Sequence, residues 1–279
     1  VEQSDIRGIV CDEAIYHTYA DKWQERLPVV DIVTGSKFGE KEYQTEETKD
    51  MDEDVLSILY SSGTTSEPKG VMISYEGQLV SSELLLRAFG TNNIRHLLVF
   101  PLFHVSGFST FFALLLGGGQ IGLLENMDST KLMKGFQKYH PNTFGMVPRV
   151  YETIKNKIEE SLSANKMAWK MFGISGSLRK KCHMNIGKIL FQKVNRQVFG
   201  GQMKYLAVGG GKCSAEVSEF FQNLGYCWIN TYASTEMNLP MAATTVRDVY
   251  PSDSVGRKDA FPEIQIRIKN PDAGGTGEV

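Results

Sequence analysis

Short apolar runs alternate with longer amphipathic stretches along most of the chain. The apolar runs predict strands at Gly8–Cys11, Val29–Val33, Val55–Ser61, Val71–Ser74, Leu97–Pro101, Gln120–Leu124, Thr143–Val147, Tyr205–Val208, Cys227–Thr231 and Ile264–Ile268. Apolar residues at helical spacing predict helices at Ala14–Glu25, Glu76–Phe89, Phe108–Leu116, Ser129–Tyr139, Arg149–Ser161, Met184–Phe199 and Ala215–Leu224. Within Met184–Phe199, the positions Ile186, Ile189, Leu190, Val194 and Val198 predict one buried stripe. Strands alternating with helices argue for an α/β fold of layered, mostly parallel sheets flanked by helices. Ligands of such sheets sit in loops leaving the carboxyl ends of strands.

A chain of 279 residues can bury a sizeable core and make one large domain or two modest ones. Its net charge of -2 gives no global argument for nucleic acid or membrane. Cys11, Cys182, Cys213 and Cys227 form no C-x-x-C pair or metal spacing, and the histidines are scattered, so free thiols in a cytoplasmic setting are expected. The apolar run Phe111–Leu116 is far short of the ~20 residues that cross a bilayer. The acidic stretch from Gly35 to Asp54 reads as a surface linker within the fold. Local charge differs from the total: between Lys155 and Lys204 lysines and arginines far outnumber Glu159 and Glu160. Solvated helix faces explain this most simply. A peripheral contact with anionic lipid at the inner membrane face, or with the phosphates of a large cofactor, is the sharper reading. Nucleic acid is the weakest reading, since no stacking platform is read there.

The most informative string is Tyr60–Val71, Y-S-S-G-T-T-S-E-P-K-G-V. Ser61, Ser62, Thr64, Thr65 and Ser66 surround Gly63, and Pro68 precedes Lys69. Glycine lets backbone approach an anion, hydroxyls and amides donate to it, and lysine adds compact positive charge. The string differs from the G-x-x-x-x-G-K-[ST] phosphate loop, because Gly70 and a strand follow Lys69 where a helix would begin. By composition alone, a polar surface loop is an equal reading.

Three further segments follow. Leu206–Lys212 is a strand running into Gly209, Gly210 and Gly211, where bare backbone lets a flat group lie close. Asn230–Glu236, N-T-Y-A-S-T-E, offers an aromatic ring, a hydroxyl and a carboxylate suited to a base, a phosphate and Mg2+. Phe100–Gly107 carries His104. Each alone is more simply a turn, a strand end or a hydrogen-bonded histidine.

Together and in this order, these segments resemble the signatures of the adenylate-forming superfamily, which includes acyl-CoA synthetases, luciferase-like enzymes and peptide-synthetase adenylation domains. Ser66 and Ala233 stand where that family usually has glycine. The stretch Met146–Glu152 before a long helical insert, and Phe199-Gly200-Gly201 leading into Leu206–Gly210, resemble the long-chain fatty acyl-CoA synthetase branch. The resemblance covers nearly all the chain after Val55 and implies the large domain of that fold. It implies ATP, Mg2+, coenzyme A and a fatty acid as ligands, and a reaction through an acyl adenylate to a thioester.

By the same resemblance the catalytic set is Thr64, Lys69, Thr235 and Glu236. Thr64, Thr65 and Lys69 attend the leaving pyrophosphate, Thr235 holds the α-phosphate and Glu236 binds Mg2+. Ser61, Ser62, Gly63 and Ser66 complete the nucleotide loop. Gly209, Gly210, Gly211, Tyr232, Ala233 and Ser234 line the adenine site, and His104 borders the acyl site. The chain opens on Val1 and stops at Val279 before any Y-x-T-G-D segment. The expectation is therefore a central part of the adenylation domain, two α/β subdomains meeting near residues 55–75, without the C-terminal lid and not fully active alone. An acyl carrier protein as acceptor, an aryl or amino acid as substrate, and a catalytically silent binding module or membrane scaffold remain open readings.

Overall fold

The computed structural model describes residues 9–11, 13–23, 29–31, 55–61, 69–90, 93–124, 128–238, 242–244, 251–256, 265, 267 and 269–270. The expected strand at Ile264–Ile268 and the acidic stretch from Gly35 to Asp54 lie outside them, the strand save for residues 265 and 267. The chain divides between Asp50 and Met51 into two compact units.

The first unit is a strand–helix–strand crossover. Strands β1 (Ile9–Cys11) and β2 (Val29–Asp31) pair in parallel, joined through helix α1 (Glu13–Trp23). Parallel neighbours need such a crossover because a tight turn cannot reverse the chain twice. Cys11 and Tyr16 are buried in this unit.

The second unit begins with an antiparallel hairpin, β3 (Val55–Ser61) and β4 (Lys69–Ser74), with Ser61 opposite Lys69. Ser74 then caps helix α2 (Tyr75–Phe89), its Oγ accepting from Gly77 N at 3.1 Å, and Gly90 closes the helix at φ 60°. A six-stranded sheet follows, ordered β10-β9-β8-β7-β5-β6. Its members are β5 (Arg95–Leu98), β6 (Gln120–Leu123), β7 (Thr143–Met146), β8 (Tyr205–Val208), β9 (Cys227–Tyr232) and β10 (Ala242–Ala243). All neighbours are parallel except β10, which runs against β9. Chain order reverses around β5, with β6 on one side and β7 on the other.

The helices are α3 (Val105–Leu116), α4 (Ser129–Tyr139), α5 (Pro148–Ser163), α6 (Lys166–Cys182), α7 (Gly187–Leu190), α8 (Gln192–Phe199) and α9 (Ala215–Asn223). None among the described residues is long and apolar enough to cross a membrane. The two sheet faces are unlike. Phe144, Met146, Leu206, Val208 and Trp228 join Phe136, Tyr151, Phe199 and Phe221 in the main core. Its rings meet mostly edge to face, as in Phe136–Phe144 at 4.9 Å and Tyr151–Trp228 at 4.8 Å. On the opposite face, α2 and α3 bring Leu84, Ala88, Phe89 and Leu114 against Ile229, Tyr205 and Ala207.

The structure departs from the periodicity reading in four places. Strand β5 starts at Arg95, earlier than Leu97, because partners on other elements hold its first two, polar residues. Arg95 Nη2 donates to Tyr139 O at 2.6 Å, and His96 bonds Thr143. The Met184–Phe199 segment is not one helix: Phe191 (φ -108°, ψ 28°) separates α7 from α8 and drops into the core. Ile189 consequently faces solvent, 71% exposed, outside the expected stripe. Gly187 sets this break, since any side chain there would collide with the backbone at Asn223–Gly225. Helix α6, expected only as part of a helical insert, is started by Asn165, whose Oδ1 accepts from Met167 N and Ala168 N at 3.0 and 3.1 Å. Strand β10 is too short for any periodicity to register.

Tyr151 ties this core to the strands beneath the site. Its ring is fully buried, and its hydroxyl lies 3.0 Å from the Phe144 carbonyl and 2.9 Å from the Ala207 carbonyl, sharing one proton between β7 and β8. Tyr151→Phe is expected to cost about 1–2 kcal/mol, read as a lower urea midpoint at unchanged slope.

Candidate functional site

The carboxyl ends of β5, β7, β8 and β9 converge, and each chain segment leaving them lines one cavity of about 410 Å³. This is the place where a parallel sheet with reversed strand order opens a crevice. Gly209 and Gly210 follow β8. A side chain on Gly209 would collide with Thr231 Oγ1, which donates to the Val208 carbonyl at 2.9 Å. Gly210 sits at φ 73°, a backbone state that costs a side chain about 1 kcal/mol or more. Ser214 then caps α9 by accepting from Val217 N at 3.4 Å.

After β5 the chain turns at Pro101, whose carbonyl accepts from His104 N at 3.0 Å. His104 is the N-cap of α3, and its Nδ1 accepts from Ser106 N at 3.1 Å. That bond fixes the tautomer: the proton sits on Nε2, and the exposed ring offers a donor at the cavity rim. After β9, Ala233, Ser234 and Thr235 line the cavity, and Thr235–Asn238 forms a turn closed by Asn238 N donating to Thr235 O at 3.1 Å.

Buried polar groups from distant parts of the chain hold that turn. Asn238, at φ 51°, accepts at Oδ1 from Ser109 Oγ at 2.7 Å and donates through Nδ2 to Gln78 Oε1 at 3.1 Å. Ser81 Oγ donates to the Asn238 carbonyl. Gln78 is itself braced by Ser82 Oγ at 3.1 Å. Pairing is obligatory for groups so deeply buried, so the turn is anchored on α2 and α3. Sequence reading missed Gln78, Ser81, Ser109 and Asn238, because their separations of up to 160 residues leave no local pattern.

Among the expected site residues, the structure brings His104, Gly209, Gly210, Ala233, Ser234 and Thr235 to this cavity. Gly211 and Glu236 are exposed beside it, and Tyr232 ends β9 half-exposed. Ser61 and Lys69 face each other at the end of the hairpin, with Lys69 exposed. The hairpin packs through Leu59 and Ile73 on Val105 and Phe108 of α3. Ser62, Gly63, Thr64, Thr65 and Ser66 lie outside the described residues.

The inner end of the cavity is apolar, formed by Phe89, Ala207 and Ile229, with Gly145 contributing no side chain. His96 is the exception there; burial pushes its pKa down to about 4. No group of His, Cys, Asp or Glu among the described residues makes a metal cage. A single carboxylate such as Glu236 with the Thr235 hydroxyl nonetheless fits Mg2+, which keeps several waters and shares its shell with phosphates.

The AMP-binding enzyme family model matches residues 1–279. The chain is 26% identical over 215 residues to long-chain-fatty-acid–CoA ligase 1 of Saccharomyces cerevisiae, covering 70% of this chain and 30% of that protein. It is 26% identical over 253 residues to long chain acyl-CoA synthetase 5 of Arabidopsis thaliana, covering 84% and 37%. The chain thus spans about a third of the length of these relatives. Its fold is similar to O-succinylbenzoate coenzyme A synthetase (MenE) from Bacillus subtilis in complex with AMP, at a TM-score of 0.60 and 16% identity, over 90% of this chain and 55% of that one.

The glycines after β8 separate by their surroundings. Gly209→Ala is expected to destabilise the chain by about 1–3 kcal/mol and to weaken nucleotide binding at least about tenfold in titration. Gly211→Ala, whose added carbon would meet Pro148 only at 3.8 Å, is expected to leave both nearly unchanged.

Proposed function

The chain belongs to the AMP-binding enzyme family, and from that premise we propose that it activates a carboxylic acid, a fatty acid in particular, as an adenylate for transfer to a thiol. The observation that carries this reading is one cavity with two ends. Hydroxyls and bare backbone from Gly209, Ser234 and Thr235 gather at its mouth, and an apolar chamber opens behind them. That pairing of a polar, anion-friendly rim with an apolar interior suits a molecule that is nucleotide at one end and acyl chain at the other.

In the proposed reaction an acid carboxylate oxygen forms a bond to the α-phosphorus of ATP as the bond to pyrophosphate breaks. A thiol sulfur, of coenzyme A or an acyl carrier protein, then bonds to the acyl carbon as AMP leaves, and the thiol proton passes to solvent. The carboxylate is already ionised at neutral pH, so the first step needs alignment and charge neutralisation and no protein base. Thr235 donates toward the α-phosphate from its anchored turn. Lys69 stands at the foot of the hairpin that carries the hydroxyl-rich loop and supplies positive charge toward pyrophosphate. Mg2+ held by Glu236 would neutralise phosphate charge. His104 presents its Nε2–H at the rim, between the reacting carbonyl and the thiol route.

The test is competition at one site. ATP and a non-hydrolysable acyl sulfamoyl-adenosine are expected to displace each other from the chain, and Thr235→Val to weaken both about tenfold. Fatty acid binding that ignores nucleotide would instead favour a silent binding module and sink the enzyme reading.

A peripheral contact with an anionic lipid surface at the inner membrane face is favoured by α6, where Met167, Trp169 and Ile174 are exposed near Lys170 and Lys181. Not every basic residue of that region is available for it. Lys155 is buried between Glu159 and Glu216 at 2.6 and 2.8 Å, and Lys180 pairs with Glu219 at 2.8 Å. Sedimentation with phosphatidylserine vesicles is expected at low salt and to fade at high salt, with Lys170→Glu weakening it; salt-independent or absent binding speaks against the contact.

A further inference from the structure

His96 puts a polar ring beside the apolar cavity residues Phe89, Ala207 and Ile229, and the proposed adenylation chemistry gives it no role. Its ring is 2% exposed and meets Phe89 edge-on at 6.4 Å. Thr143 Oγ1 lies 2.9 Å from His96 Nδ1, so that ring nitrogen is paired in either tautomer. Nε2 carries the remaining hydrogen-bonding capacity of the ring, as a donor or as an acceptor.

Nε2 bonds to no described residue, and it is not one of the sealed side-chain atoms without a partner, which among the described residues are Ser57 Oγ, Arg95 Nε, Arg179 Nη2 and Asn195 Oδ1. His96 lines the cavity, so the cavity is the space its free ring nitrogen faces. Access is kept open by Gly145, where a side-chain carbon would stand 3.7 Å from His96 Cε1 and 3.8 Å from Ala207 Cβ. Burial keeps the ring neutral at physiological pH.

We propose that His96 Nε2 forms a hydrogen bond with a hydroxyl on the distal part of the bound acid, making this a subsite for hydroxylated acyl chains. This rests on the reading of the cavity as the acyl site and narrows its substrate class. A plain hydrocarbon tail would strip water from Nε2 and put nothing in its place, whereas a hydroxyl replaces that water. Sites that hydrogen-bond a substrate group discriminate against analogues lacking it more strongly than apolar pockets discriminate by size.

Calorimetric titration of the chain with matched unsubstituted and ω-hydroxy fatty acids, from octanoate to hexadecanoate, tests it. At the length that reaches His96, the hydroxy acid is expected to bind about tenfold more tightly. His96→Phe is expected to erase that preference while keeping the unsubstituted acid bound, and His96→Gln, which retains a donor and an acceptor, to restore part of it. Equal affinities at every length in the native chain, or a preference that survives His96→Phe, would overturn the subsite alone. Failure of every acid to bind would overturn the acyl-site reading and this inference with it.

Discussion

The cavity exists because neighbouring residues on β7 and β8 differ in size according to the face they serve. Phe144, Met146, Leu206 and Val208 fill the main core, while Gly145 and Ala207 leave the opposite face hollow under α2 and α3. A strand alternates its side chains across the sheet, so one sequence can pack one face to native density and open the other. Tyr151 makes this asymmetry rigid. Its hydroxyl holds the Phe144 and Ala207 carbonyls together from the packed side, so the hollow side keeps its shape without filling.

The polar rim depends on the same sheet but is secured differently. Gly209 can pass close to Thr231 only because it has no side chain, and the Thr235 turn is pinned through Asn238 to Ser109 and Gln78. These bonds are out of water, where a missing partner is costly, so the turn has one favoured position. Positioning of this kind suits a reaction whose barrier is lowered by alignment and fixed dipoles more than by a general base. The rim and the chamber belong to one cavity, and the proposal of a mixed nucleotide–acyl ligand is drawn from that juxtaposition.

Much of this was legible in the sequence. The strand–helix alternation produced the parallel sheet, and the strings around Gly209 and Thr235 and the His104 segment supplied six residues that line the cavity. Where the reading failed, a tertiary contact had overridden local pattern. Ile189 keeps helical spacing with Ile186 yet faces solvent, because Gly187 must press on the Asn223–Gly225 backbone and Phe191 must enter the core. Arg95 and His96 look unlike strand residues, but both begin β5 because Tyr139 and Thr143 on other elements bond to them.

The sequence by itself determined the layered α/β architecture, the strand ends at which a ligand could sit, and the residue types offered there. Those properties are carried by periodicity and by short strings, which are local. Tertiary structure alone decided that Asn238 would anchor the Thr235 turn and that Gly145 and Ala207 would leave a chamber. It also decided that His96, scattered and unremarked in the sequence, would line that chamber with a polar ring. Each of these depends on groups far apart in the chain meeting where water is excluded, and there burial and pairing set what a side chain does.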